Sequence, residues 1–204
     1  QRLKILKSSF DYYQKQKKHK NVRIRASFNS KLAKLEKLGF VKNNKLTEKG
    51  MFSRRIYDHE LLVTEIFCSD FYKELSKEEI LLICASIIYE PGKDDYFESK
   101  GSWKEVKGLI HFLKNRVRHK KIYYTLNTKA LKKLYKLVIR FYKGKDFEEL
   151  MELTDLQEGD VIRLFRRTID LLSQIRKATT DYKFKDKLGL CIHNLDRVPI
   201  KVEL

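Results

Sequence analysis

Only two prolines, Pro91 and Pro199, interrupt the chain, and over most of it apolar residues return every three or four positions. A backbone with so few breaks in its amide ladder, patterned at that period, folds into helices that each bury one stripe. An exception comes early. Leu32, Leu35 and Leu38 keep helical spacing, Gly39 stops the helix and Phe40-Val41 begins an extended piece. Asn43-Asn44 then marks a tight turn before Leu46-Thr47 resumes. Helix, strand, turn, strand is the closing order of a winged helix. The expected fold class is therefore mainly α, a winged-helix element followed by an all-α helical bundle. Residues 1–57 are assigned to a basic N-terminal helix or linker and the winged-helix end, and residues 58–204 to the bundle.

The periodicity predicts helices near 58–69, 76–90, 102–118, 128–143, 147–153, 158–178 and 181–196. Several boundaries have a local cause. Ser76 and Glu79 have the spacing of a capping box, and Pro91-Gly92 ends the helix that they start. Asp58 is the expected cap of the first bundle helix and Thr128 of the fourth, whose end falls at Gly144. Asp146 and Glu149 repeat the capping-box spacing.

Charge narrows the list of partners. The chain has 45 Lys and Arg against 27 Asp and Glu, a formal net charge of +18 that attracts polyanions at low salt. Nucleic acid is the expected partner, although lysines scattered along the whole chain also fit a merely basic surface. No apolar run is long enough to cross a bilayer, so no membrane role is expected. Cys68, Cys84 and Cys191 share no metal-type spacing and sit in apolar stretches, which suits a reducing cytoplasmic compartment. Gln1 at the start, with no signal segment behind it, reads as a piece of a longer chain.

Catalytic patterns are not found. None of the eight glycines lies in a phosphate-binding loop, so neither ATP nor Mg is expected on this chain, and no small-molecule substrate. The five histidines lack partners at ligand spacing, so no metal is assigned. Asp58-His59-Glu60 is read as a helix start, because adjacent helical residues point about 100° apart and do not converge on one atom.

The informative stretch is Glu158 to Lys177. Val161, Phe165, Thr168, Leu172 and Ile175 form a seam that buries one face, while Arg163, Arg166, Arg167, Asp170 and Gln174 share much of the other. Three arginines within five positions, in a chain that elsewhere prefers lysine, fit phosphate gripping and base stacking on a single strand. A plain solvated helix side is the competing reading. Lys120-Lys121 ahead of Tyr123-Tyr124 form a second candidate contact, with a packed connector as the alternative.

These residues also carry a resemblance. Phe141-Tyr142-Lys143-Gly144, Phe147-Glu148-Glu149-Leu150, Leu153-Thr154-Asp155 and Glu158-Gly159-Asp160 through Arg166-Arg167 resemble the DSHCT domain, which closes the superkiller-type and exosome-cofactor DExH RNA helicases. Leu38-Gly39-Phe40, Leu46 to Gly50 and Asp58 to Ile66 resemble the same family's winged-helix end and first bundle helix. The resemblance implies a ratchet helix at Glu158–Lys177 that touches single-stranded RNA, with Arg167 as its strand-contacting arginine and Arg163 and Arg166 nearby. It implies a channel-facing acid at Glu90, and RecA-like motor domains of the same parent polypeptide as partners, with ATP and Mg bound there. The sequence departs from the family in lacking a tryptophan near Phe141, in an unusually basic region 91–127, and in Pro199. Two other functions fit the same residues: a helix-turn-helix DNA-binding regulator built on 147–178, and a bundle used only for protein docking.

Overall fold

A computed structural model describes residues 20, 22–117, 122 and 125–200, the side chain of Phe71 excepted. The chain divides into two compact units, Gln1–Gly50 and Met51–Leu204.

In the first unit, helix α1 (22–37) is followed by strands β1 (Val41–Lys42) and β2 (Lys45–Leu46), paired antiparallel with Val41 opposite Leu46. The turn between them places Asn43 and Asn44 both at positive φ, 51° and 58°, which a two-residue hairpin with the strands' own twist requires. Gly39 leaves α1 at φ +79°, the left-handed stop predicted for it. Leu32, Leu35 and Leu38 are only half-buried, so the buried apolar side chains described here are Phe40 and Val41. Thr47 holds the Phe40 carbonyl through its amide at 3.1 Å, and Lys49 lies 4.4 Å above the Phe40 ring. A short helix not foreseen from the periodicity, α2 (Glu48–Ser53), starts at once. Its Gly50 packs so closely that an added Cβ would stand 2.2 Å from the Phe40 oxygen.

Among the described residues the regular structure of the second unit is helical apart from one isolated bridge between Phe97 and Thr154. It comprises α3 (Glu60–Phe67), a 3₁₀ turn at Asp70–Glu74, α4 (Lys77–Ile88), α5 (Ser102–Arg116), α6 (Thr128–Tyr142), α7 (Phe147–Met151), α8 (Glu158–Ala178) and α9 (Tyr182–Leu195). Ile80 to Ile88 are all buried, so α4 is apolar on every side and forms the centre. It packs against α6, α8 and α9, and α5 rests on the outer side of α6. The rings of Phe141 and Phe165, 4.6 Å apart, join α6 to α8, and Tyr72 stacks on Phe184 at 4.0 Å. The mainly α fold and the order of the bundle helices are as read from the sequence.

The caps were legible only in part. Ser76 and Glu79 form both bonds of the capping box. Asn127, not Thr128, caps α6, its carbonyl accepting the Ala130 amide at 3.1 Å. Asp146 precedes α7 without a side-chain cap bond, and Glu149 instead pairs with Lys145 at 3.1 Å. His59, at φ 50°, stands where Asp58 was expected to cap α3, because the Asp58 carboxylate is taken up elsewhere.

Candidate nucleic-acid interface

Helix α8 buries its predicted seam completely: Val161, Phe165, Thr168, Leu172 and Ile175 are each 0% exposed. That anchors the helix and decides where its other side chains project. Arg163 and Arg167 lie one turn apart along a cleft of about 320 Å³, lined also by Tyr89, Glu90, Gly92, Asp95, Leu156 and Asp160. The cleft opens between the end of α4 and the first half of α8.

Arg167 is shared between two carboxylates from different elements. One terminal nitrogen donates to Glu90 Oε1 at 2.9 Å and the other to Asp58 Oδ2 at 3.0 Å. Bonding to Glu90 first, and to Asp58 as well, raises the guanidinium's pKa above its ordinary value. Arg163 is the more open of the pair. Its side chain is 71% exposed and bonds Asp160 Oδ1 at 2.6 Å, one helical turn back. The cleft therefore presents guanidinium groups already oriented by acids, in a setting wet enough for an incoming phosphate to compete for them.

The mouth of the cleft is held by a set of polar ties. Tyr89 donates its hydroxyl to Asp95 Oδ2 at 2.5 Å, and the Gly92 amide donates to the same oxygen at 2.7 Å. The Tyr89 bond keeps the Asp95 carboxyl below its usual range, while burial, followed by that bond, pushes the Tyr89 hydroxyl up. The loop after α4 is then stitched to the turn before α8. Thr154 Oγ1 donates to the Tyr96 carbonyl at 2.8 Å, the Tyr96 amide to Asp155 Oδ1 at 2.8 Å, and the Glu98 amide to the Leu153 carbonyl at 2.7 Å. The Leu153-Thr154-Asp155 motif thus fixes the entrance of the cleft relative to the arginine helix.

The other candidate residues separate. Arg166 turns away from the cleft and donates Nε to the Ile200 carbonyl at 2.9 Å, because 100° of helical rotation sets it on the flank of α8 that faces the C-terminal segment. Gln174 is not on an open face: it is 8% exposed, accepts the Tyr57 amide at 2.9 Å and donates to Asp170 at 2.7 Å. Asp170 is exposed and serves as that partner. Lys120 and Lys121 lie outside the described residues. Sequence reasoning did not assign Asp58, Asp95 or Asp160 to this site. Asp160 was detectable from its i,i+3 spacing to Arg163, whereas nothing local links Asp58 to Arg167.

Among the described residues no group of three or more His, Cys, Asp or Glu is placed to hold a metal ion, and no helix is long and apolar enough to cross a membrane.

The DSHCT (NUC185) domain family matches residues 43–203. The ATP-dependent RNA helicase mtr4 of Schizosaccharomyces pombe (strain 972 / ATCC 24843) is 24% identical over 211 residues, covering 94% of this chain and 19% of that protein. The chain spans about a fifth of that relative's length. Because the matched span takes in every helix of the bundle and all residues of the cleft, the chain belongs to the DSHCT (NUC185) domain family.

Proposed function

We propose that this chain is the C-terminal RNA-guiding domain of an ATP-dependent DExH RNA helicase and that α8 acts as its ratchet-like helix, touching a single RNA strand through Arg163 and Arg167. One observation carries the reading: both arginines project into one open cleft from a helix whose opposite face is wholly buried. A helicase moves a strand only if something grips it between power strokes. Arginines on a rigid helix do this without regard to sequence, since every nucleotide offers a phosphate and a stacking face. Glu90 and Asp58 orient Arg167 and are displaced from it as phosphate binds. The sole ATPase of such an enzyme lies in RecA-like domains of the parent polypeptide, which bind ATP and Mg; this chain hydrolyses nothing by itself. The helix and hairpin over 22–46 support reading that stretch as the end of a winged helix, and the setting is cytoplasmic.

Fluorescence anisotropy with labelled single-stranded RNA tests the proposal. The chain is expected to bind with little sequence preference and strong salt dependence, and Arg163→Ala with Arg167→Ala to weaken binding while the helical circular dichroism is unchanged. Unaltered affinity in that double variant, or tight preference for a palindromic duplex, would overturn it.

A further inference from the structure

Helix α5 lies in the basic stretch 91–127, and the structure shows where the helix's charge goes. Four residues of α5, Ser102, Val106, Leu109 and Leu113, are buried and seat it on α6. With about 100° of rotation per residue, Trp103, Lys114, Lys107, His111 and Lys104 fall, in that order, across an arc of about 100° that runs from the flank of the helix beside that seam, at Trp103, to the side opposite it, at His111 and Lys104. Trp103 is 51% exposed, and Lys104, Lys107, His111 and Lys114 are all exposed. Among the described residues none of these three lysines is taken up in an ion pair. The acid of the helix, Glu105, projects from a different side and stands 3.5 Å from the Tyr135 hydroxyl. A second basic residue at the helix end, Arg116, is already engaged by Glu74 at 3.1 Å.

A half-exposed indole beside lysines offers a flat stacking face next to cationic side chains. Lysines without acids around it make its partner an anion, and a flat polyanion is a nucleic-acid strand with unstacked bases. From Trp103 to Lys114 the face runs about 16 Å, long enough for a few nucleotides. We propose that the outward face of α5 is a second contact surface for single-stranded RNA, on which Trp103 stacks against a base and Lys104, Lys107 and Lys114 take successive phosphates. It shares its class of partner with the α8 reading but none of its residues.

Trp103 is the chain's one tryptophan, so intrinsic fluorescence reports on this face alone. Titration of the chain with oligouridylate is expected to quench Trp103 saturably. Lys104→Glu, Lys107→Glu and Lys114→Glu together should abolish the quenching and lower the log–log salt slope of binding by about 2. Trp103→Ala should weaken binding at least about fivefold. Combining Arg163→Ala with Arg167→Ala should leave the quenching in place, so that failure of the α8 site and failure of this one are read separately. A triple Lys→Gln variant, checked by circular dichroism, repeats the loss without adding acids. Absence of quenching while RNA is bound, equal quenching by polyglutamate, or loss of quenching in the α8 variant would each overturn the proposal.

Discussion

Arg167 and Glu90, 77 positions apart in the chain, meet in a hydrogen-bonded pair of 2.9 Å at the edge of the α8 cleft. The Glu90 side chain is 79% exposed, so the pair orients the arginine more than it stabilises the fold. Its carboxylate also competes with any phosphate for the same nitrogen. Glu90→Gln is therefore expected to tighten single-stranded RNA binding, and Arg167→Ala to lower the log–log salt slope by about 0.7. Anisotropy titrations across a salt series measure both. Weaker binding in Glu90→Gln would mean that the carboxylate itself helps to hold the strand.

Stability and binding should separate along α8. Phe165 is fully buried against Phe141, and Phe165→Ala is expected to cost about 3–5 kcal/mol. Arg163→Ala removes an exposed pair one turn long and should change stability by no more than about 0.5 kcal/mol. Arg166→Ala loses a bond to the Ile200 carbonyl, worth about 1 kcal/mol, and should leave RNA affinity nearly unchanged. Urea unfolding followed by circular dichroism gives the three values. An Arg166→Ala variant that unfolds normally but loses RNA would contradict the assignment of Arg166 to the C-terminal segment.

Alkali should loosen the bundle. Burial, then hydrogen bonding to Asp181 for Tyr72 and to Asp95 for Tyr89, raises both phenols above their ordinary value of 10.0. A group whose folded pKa is raised contributes stability that is intact below the unfolded value and lost as pH climbs toward the folded one. The thermal midpoint is thus expected to fall from about pH 10 upward, and less steeply in Tyr72→Phe. Asp95 and Asp181, lowered chiefly by those same tyrosines, act in the opposite window: their contribution is present above the ordinary carboxylate range and disappears on acidification below it. Melting curves recorded across both ranges check the sign on each side, and a flat alkaline limb would remove the tyrosines from the account.

Local rules make most of the helices readable in the sequence. Scarce prolines, a three-to-four apolar period and the Ser76–Glu79 box depend on residues within one or two turns, and so do the buried seam of α8 and the Asn43-Asn44 turn. Three cap expectations failed: Asn127 took the place of Thr128 one position earlier, and the other two failed for an equally physical reason. Asp58 and Glu149 had competing partners, Arg167 at 3.0 Å and Lys145 at 3.1 Å, and their carboxylates are engaged in those charged pairs. What each polar side chain on α8 does was settled only by packing. Arg167 reaches Asp58 across 109 positions, Gln174 receives the Tyr57 amide across 117, and Arg166 finds Ile200 across 34. Helical spacing states which side chains share a face, but only the neighbours brought up by the fold determine which of those faces is covered, which is tied to an acid, and which stays open to a strand.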